Sequence, residues 1–322
     1  MDDAELRERA EEFSGRKFPR LRRVLDTSDF MAVGPGDVLT LDEHCILILG
    51  NTYEGRFGLD DEPKHWVKRA LDLGDGSPKI VKLVFYEEFD LPIGSIKVRC
   101  FRSPLKEARI LELVREHRLF MHGVSVDDQA GNNVRILERI RGHPLDQDIR
   151  ALPGDHQEYF AKHLKRVLGR LLELFEAIGF LHQHGERHGD VRRDHIFVDA
   201  DNGDWRWIDF DYNFEFRENP FGLDLFGLGN VLLYAVAKGV PTAHSLKREQ
   251  PELLGRLTED DFSPVIRNRL VNLRQLYPYI PRDLNRVLLH FSAGAPVYYE
   301  SVAELLADLT PAWAQLPGDA EE

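Results

Sequence analysis

The chain has 322 residues, 42 Lys+Arg against 55 Asp+Glu for a formal net charge of −13, and a hydrophobic content of 43%. That apolar content excludes low-complexity disorder, and the acidic balance argues against a general nucleic-acid binder, which needs a basic face to displace counterions. Two cysteines, Cys45 and Cys100, are too few for a disulfide-built secreted scaffold and lack zinc-site spacing.

Residues 2–13 read as a charged helix with Leu6, Ala10 and Phe13 on one face. The start MDDAELRERAEEF has no apolar segment for a signal peptide, and no apolar run in the chain reaches the ~20 residues that span a bilayer. A soluble, cytoplasmic protein without a membrane span is expected. A basic stretch follows, with Arg16, Lys17, Arg20, Arg22 and Arg23. Its ordinary reading is a solvated face or a strap packed on an acidic body; the alternative is a contact for anionic lipid or a phosphorylated partner. The turn-like VGPGDV (33–38) ends this charged extension, taken as residues 1–34.

Residues 35–140 read as strand-rich. HCILILG (44–50), HWVKRALDL (65–73), KIVKLVFYEEF (79–89) and NVRILERI (133–140) carry β-branched or alternating apolar residues, and the turn DGSP (75–78) predicts a hairpin. One helix is expected in SPLKEARILELVREH (103–117), with a Ser-Pro start. From 141 to 322 the pattern is mostly helical. Phe160, Leu164, Leu168, Leu171, Phe175, Ile178 and Leu181 predict a long buried helix over 159–184. HIFVD (195–199) and WRWIDF (205–210) read as a short hairpin, with Trp205 and Trp207 as its packing. Further helices are expected over 223–239, 264–276, 283–291 and 301–309. A β-rich front and a helical back suggest two lobes with a cleft between them, the usual place for a ligand.

The densest chemical signal is HGDVRRDHIFVDADNGDWRWIDFDY (188–212), where Asp190 precedes His195 by five residues and Asp209 follows the hairpin. This segment resembles the catalytic core of the protein-kinase-like superfamily, in which a His-x-Asp loop precedes a metal ligand by five residues and an Asp-Phe-Gly follows a hairpin. Other pieces fall in order. Lys82 in IVKLVF stands where that family has its third-strand lysine, with Lys79 as a near competitor. Glu107 in LKEARIL matches the helix glutamate that pairs with this lysine, with Glu112 and Glu116 as rivals. EGRFG resembles the second half of the glycine-rich loop, with Gly55, Phe57 and Gly58 in place. Leu137 matches the residue gating the back pocket, Glu138 to Ile140 the hinge that binds adenine, and Asp224 in DLFGLG a buried structural aspartate. Of the histidines His182, His184 and His188, the last reads as scaffolding and the others as solvent-exposed.

The resemblance implies an α+β, two-lobed protein-kinase-like fold: a β-rich N-lobe with one long helix, and a mostly helical C-lobe. It implies phosphotransfer from ATP to a hydroxyl on protein Ser/Thr or on a sugar of the lipopolysaccharide-core type, a reaction that needs alignment and charge neutralisation more than covalent chemistry. In that scheme Asp190 orients the acceptor hydroxyl and Arg192 neutralises the γ-phosphate. Asp209 and His195 hold Mg²⁺ or Mn²⁺, while Lys82, held by Glu107, contacts the α/β-phosphates.

Several residues depart from the pattern. His195 replaces the usual Asn, which suits Mn²⁺ better than Mg²⁺, and Asp211 replaces the Gly of Asp-Phe-Gly. In both, the chain is similar to lipopolysaccharide-core and Kdo kinases. Tyr53 stands at the first loop glycine, and Gly189 replaces the Arg that receives an activation-loop phosphate. Residues 210–223, between Asp209 and Asp224, are too few for a peptide-docking activation segment. These departures motivate the alternative of a pseudokinase, a nucleotide-binding regulatory module without transfer activity.

Overall fold

The structure, a computed structural model, describes residues 1–54, 62–93, 96–266 and 268–318. The protein is α+β, sheet-rich in its N-terminal region and helical later, an arrangement compatible with a kinase-like fold. The chain divides into two compact units: Met1–Glu87 with Arg102–Ile140, and Glu88–Phe101 with Arg141–Glu322.

The first unit contains α1 (Asp3–Ser14), β1 (Arg22–Val24), β2 (Asp37–Leu41), β3 (His44–Glu54), β4 (Glu62–Asp72) and β5 (Pro78–Lys82). In chain order, β6 (Glu88–Ile93) and β7 (Ile96–Arg102) come next, all but Arg102 belonging to the second unit. The first unit resumes with α2 (Pro104–Leu113), β8 (Gly123–Asp127) and β9 (Asn133–Glu138). Its sheet has the order β1-β2-β3-β4-β5-β9-β8. The predicted turn joins β4 to β5: Gly76 takes φ +76°, and a Cβ there would come within 2.9 Å of the Phe13 ring, so glycine is required on both counts. Helix α1 begins at Asp2, whose carboxylate accepts from the Ala4 and Glu5 amides. It buries Leu6 and Ala10 against Val38, Cys45, Leu47 and Leu73.

The charged N-terminal residues are part of this unit. Strand β1 pairs in parallel with β2, Arg22 is forked on Asp37, and Arg23 pairs with Asp3. Val24 and Val33 complete the cluster of Ile46, Ile48, Ala70, Val81, Val134 and Ile136 on one sheet face. The Thr27 amide and hydroxyl both donate to Asp128, at 2.6 and 2.7 Å.

KIVKLVFYEEF is not one strand. β5 stops at Lys82, Phe85 turns back to stack on Trp66 at 4.0 Å, and pairing resumes only in β6, which joins the other unit's sheet β13-β7-β6.

The second unit continues with β10 (Gly142–Pro144), α3 (Leu145–Ala151), α4 (His156–Lys162) and α5 (Leu164–Gln183). β11 (Ile196–Asp199), β12 (Trp205–Trp207) and β13 (Tyr212–Glu215) precede α6 (Gly222–Ala237), α7 (Ala243–Glu249), α8 (Pro251–Leu254), α9 (Arg282–Leu289) and α10 (Val302–Ala314). The long helix over 159–184 is broken at His163, where α4 ends and α5 starts. Helix α5 carries the unit's core stripe, with Leu164, Leu168, Leu171, Phe175, Ile178 and Leu181 all buried. The β11–β12 hairpin packs on it: Trp207 is buried and its indole donates to the Leu174 carbonyl. The helix expected over 264–276 does not form. Asn268 takes φ +66°, incompatible with a helical ladder, and the described residues there make isolated bridges and a short 3-10 turn, Leu273–Gln275.

Candidate functional site

In the first unit, strand register builds a three-residue charge site. Lys82 ends β5 opposite Arg135 on β9, so the two side chains leave the same sheet face. Helix α2 starts at Ser103, whose hydroxyl accepts from the Lys106 amide, and Pro104 fixes the first turn. This start places Glu107 over that face. Lys82 Nζ donates to Glu107 Oε1 at 2.7 Å, and Arg135 Nε donates to Oε2 at 3.1 Å. All three are buried: Lys82 is 5% exposed, Glu107 0% and Arg135 2%. Arg135 spends further donors on the Asn133 and Leu83 carbonyls.

The structure therefore brings Glu107 to Lys82. The rival Lys79 lies across from Glu138, and Glu112 is exposed beside Arg115. Sequence reading missed Arg135. Only the β5–β9 register reveals it, because an arginine flanked by Val134 and Ile136 reads locally as an outward strand position. Leu137 is buried opposite Ile80, and the Glu138 amide donates to the His122 carbonyl at 2.9 Å. Ile140, just past β9, is half-buried. Gly55, Phe57 and Gly58 lie outside the described residues; Tyr53 before them is exposed.

In the second unit, the loop 188–195 hangs from Asp224. This carboxylate is buried on α6 and accepts from the His188 amide at 2.7 Å, the Gly189 amide at 2.8 Å and His182 Nε2 at 3.0 Å. Burial works against the charge, but these donors, with His188 nearby, win and hold its pKa below the usual carboxylate value. Helix α6 reaches the loop because residue 227 is glycine: a Cβ there would meet Val191 at 2.5 Å. His188 is buried, and its Nδ1 accepts from the Asp190 amide. Contrary to expectation, His182 is not solvent-exposed; its side chain is 8% exposed and serves the Asp224 anchor.

Asp190 and Asp209 meet around one imidazole. His195 closes the 3-10 turn Arg193–His195, and its Nδ1 faces the Asp190 carbonyl oxygen at 2.9 Å. A carbonyl only accepts, so Nδ1 carries a proton, and in the neutral ring Nε2 is then the acceptor nitrogen. That Nε2 lies 3.7 Å from Asp209 Oδ2, while Nδ1 lies 3.5 Å from Asp190 Oδ2. Asp209 sits in the left-handed region at φ +64°, a conformation costing a non-glycine residue about 1–3 kcal/mol. The β11–β12 hairpin holds it there: the Ile208 amide donates to the His195 carbonyl at 2.9 Å, and the next residue, Phe210, is fully buried.

Burial pushes the Asp190 carboxyl up, against the opposing pull of His195 and Arg192. Arg192 points its fork at a neighbour that sequence reading passed over. Its Nε and Nη2 donate to the two oxygens of Asp194, while its Nη1 lies 3.8 Å from Asp190 Oδ2. Burial opposes ionisation of Asp194, yet the Arg192 hydrogen bonds and charge hold it down at about 2.

The donor chemistry fits a divalent cation. A carboxylate oxygen of Asp209 and a neutral imidazole nitrogen of His195 form a mixed oxygen–nitrogen set, which suits Mn²⁺ better than Mg²⁺. Neither cysteine competes for such chemistry. Both are free and buried, and burial pushes the Cys100 thiol up to about 11. No described helix is long and apolar enough to cross a membrane.

No family model matches the chain. Among curated proteins it is similar to 2-5A-dependent ribonuclease of Mus musculus, 32% identical over 116 residues that cover 32% of this chain and 16% of that protein. It is also similar to 2-5A-dependent ribonuclease of Homo sapiens, 24% identical over 215 residues that cover 64% of this chain and 28% of that protein. The chain thus spans less than a third of the length of either relative. The similarity is distant, and it fits a chain of the protein-kinase-like superfamily.

Proposed function

We propose that the protein is an ATP- and divalent-metal-dependent phosphotransferase acting on a hydroxyl, carried by a protein Ser/Thr or by a sugar of the lipopolysaccharide-core type. The observation that carries this reading is the placement of His195, with Nδ1 on the Asp190 carbonyl and Nε2 3.7 Å from Asp209 Oδ2. Asp190 orients the acceptor hydroxyl and takes its proton. The upward push from burial suits a base, since proton transfer is best served by a pKa nearer the working pH. Asp209 and His195 hold the divalent cation, which neutralises phosphate charge when bound. Lys82, fixed by Glu107, contacts the α/β-phosphates, and Gly55, Phe57 and Gly58 serve the same nucleotide. Leu137, Glu138 and Ile140 receive the adenine. Arg192 turns from Asp194 toward the γ-phosphate.

The test is ATP turnover with Mg²⁺ or Mn²⁺ over a panel of protein and sugar acceptors, read by mass spectrometry. Asp190→Asn should lower transfer by ~10²–10⁴-fold, the usual weight of a positioned base, with nucleotide binding retained. In the wild type Mn²⁺ should serve at least as well as Mg²⁺, and His195→Asn should move the preference toward Mg²⁺. Unchanged metal preference in that variant would remove His195 from the cation's ligands. Nucleotide binding with no transfer by the wild type on any acceptor would leave a nucleotide-binding regulatory module instead.

A further inference from the structure

The second unit holds two arginines that no acid among the described residues answers. Arg269 lies in a short bridge opposite Thr242, its peptide locked by the Ile266 carbonyl on one side and the Ser263 amide on the other. One Nη1 donates to Asn230 Oδ1 at 2.8 Å, while its Nε is buried without a hydrogen-bond partner. Arg193 lies with its guanidinium 4.8 Å from the centre of the Tyr234 ring, and its Nε is likewise buried and unpartnered. Among the described residues no carboxylate pairs with either. Nearby acids are committed elsewhere: Asp146 to Arg150, Asp194 to Arg192, and Asp261 to the Thr258 amide and Asn272. Leaving guanidinium donors buried and unpaired is costly. Burial and then the charge of Arg193 push Arg269 down to about 10.

Arg269, Asn230, Tyr234 and the backbone at 239–241 line an open surface pocket with about 190 Å³ of empty space, part of it solvent. Asn230 turns its carbonyl to Arg269, so its amide NH₂ remains a donor on the pocket wall. The wall therefore presents donors and positive charge to a group that enters it.

We infer that Arg269 and Asn230, with Arg193 stacked on the Tyr234 ring that lines the same pocket, form a binding site for a single phosphate-type oxyanion, separate from the Asp190–Asp209 chemistry and independent of whether transfer occurs. The group is either free inorganic phosphate or a phosphate monoester on a small molecule. Arg forks match its tetrahedral oxygens, and the charge supplied by the anion answers both guanidinia.

The experiment titrates inorganic phosphate, and separately glucose 6-phosphate, into the full chain by calorimetry at constant ionic strength, with chloride as control. Saturable binding is expected, weakened ~tenfold or more by Arg269→Gln, as for loss of one charge-assisted contact. Arg206→Gln, whose arginine pairs with Asp199 on the hairpin, should leave the affinity unchanged. Binding of the monoester alone marks a phosphorylated small molecule as the ligand; binding of both marks the phosphate group itself. Hydrogen exchange on the wild type reads the same question without relying on a variant's folding. Phosphate should protect amides at 239–242 and 268–270. Absence of saturable binding, equal affinity in Arg269→Gln, or protection confined to other segments overturns the site.

Discussion

The two units hold their central carboxylates in opposite ways. Glu107 is enclosed by two cations, one on each oxygen, with Lys82 and Arg135 both buried beside it. Asp190 and Asp209 instead gather around a single imidazole, and the nearest arginine, Arg192, is engaged with Asp194. In the first constellation two cations share one carboxylate. In the second, two carboxylates share one imidazole, with Arg192 Nη1 3.8 Å from Asp190. A third carboxylate, Asp128, follows neither course. Neutral donors hold it: Thr27 twice, Ala130 and Asn132.

The difference predicts substitution effects of opposite sign. Removing charge from the first site should be the most damaging: Glu107→Gln takes away the buried carboxylate to which both Lys82 and Arg135 donate, and is expected to lower stability by about 3–5 kcal/mol in chemical denaturation. Thr27→Ala deletes one of the two hydrogen bonds that tie the N-terminal segment to Asp128, for a loss of about 1 kcal/mol and faster amide exchange over residues 24–30. Asp209→Asn should act the other way. Without divalent metal it relieves the Asp209 charge that helps to raise the Asp190 pKa, so thermal stability is expected to hold or rise while the proposed phosphotransfer is lost. A fall comparable to that of Glu107→Gln would erase the contrast between the two constellations.

A pH effect, the smallest, separates charged from neutral polar burial. His156 stacks on Tyr277 at 3.5 Å, faces the Tyr279 hydroxyl through Nδ1 and donates through Nε2 to the Val236 carbonyl. Burial pushes its pKa below the ordinary 6.5. A depressed histidine pKa means that the folded state binds its proton less readily than the unfolded chain. The stability it contributes is therefore complete above 6.5 and drains away as pH falls from there toward the depressed folded value. Thermal midpoints measured between pH 8 and 5 should decline on the acid side, and His156→Gln should flatten that decline.

Local chemistry made much of this protein legible. The amphipathic period of α5, the Ser-Pro start of α2 and the glycine turn between β4 and β5 are short-range signals, and each element lies close to where its residues indicate. The spacing of Asp190, His195 and Asp209 around a hairpin is also local, so the loop and its anchor at Asp224 could be read directly. Breaks were harder to see. An apolar run such as KIVKLVFYEEF carries strand propensity throughout, and its interruption depends on Phe85 finding Trp66. Residues 264–276 carry apolar groups at helical spacing, but Asn268 in the left-handed region ends the pattern.

Partners distant in sequence were decided by tertiary structure alone. Arg135 meets Glu107 only through the register of β9 against β5, and His182 reaches Asp224 from another helix. Thr27 closes on Asp128 across the N-terminal strap, and Arg193 and Arg269, 76 residues apart in sequence, both come to Tyr234, one over its ring and one beside it in the pocket wall. The sequence by itself determined which residue types would build helices, strands and the acidic loop, because those preferences act over a few residues. Which charges would be answered and which left open was fixed only by packing, because burial and pairing depend on neighbours that the chain order does not specify.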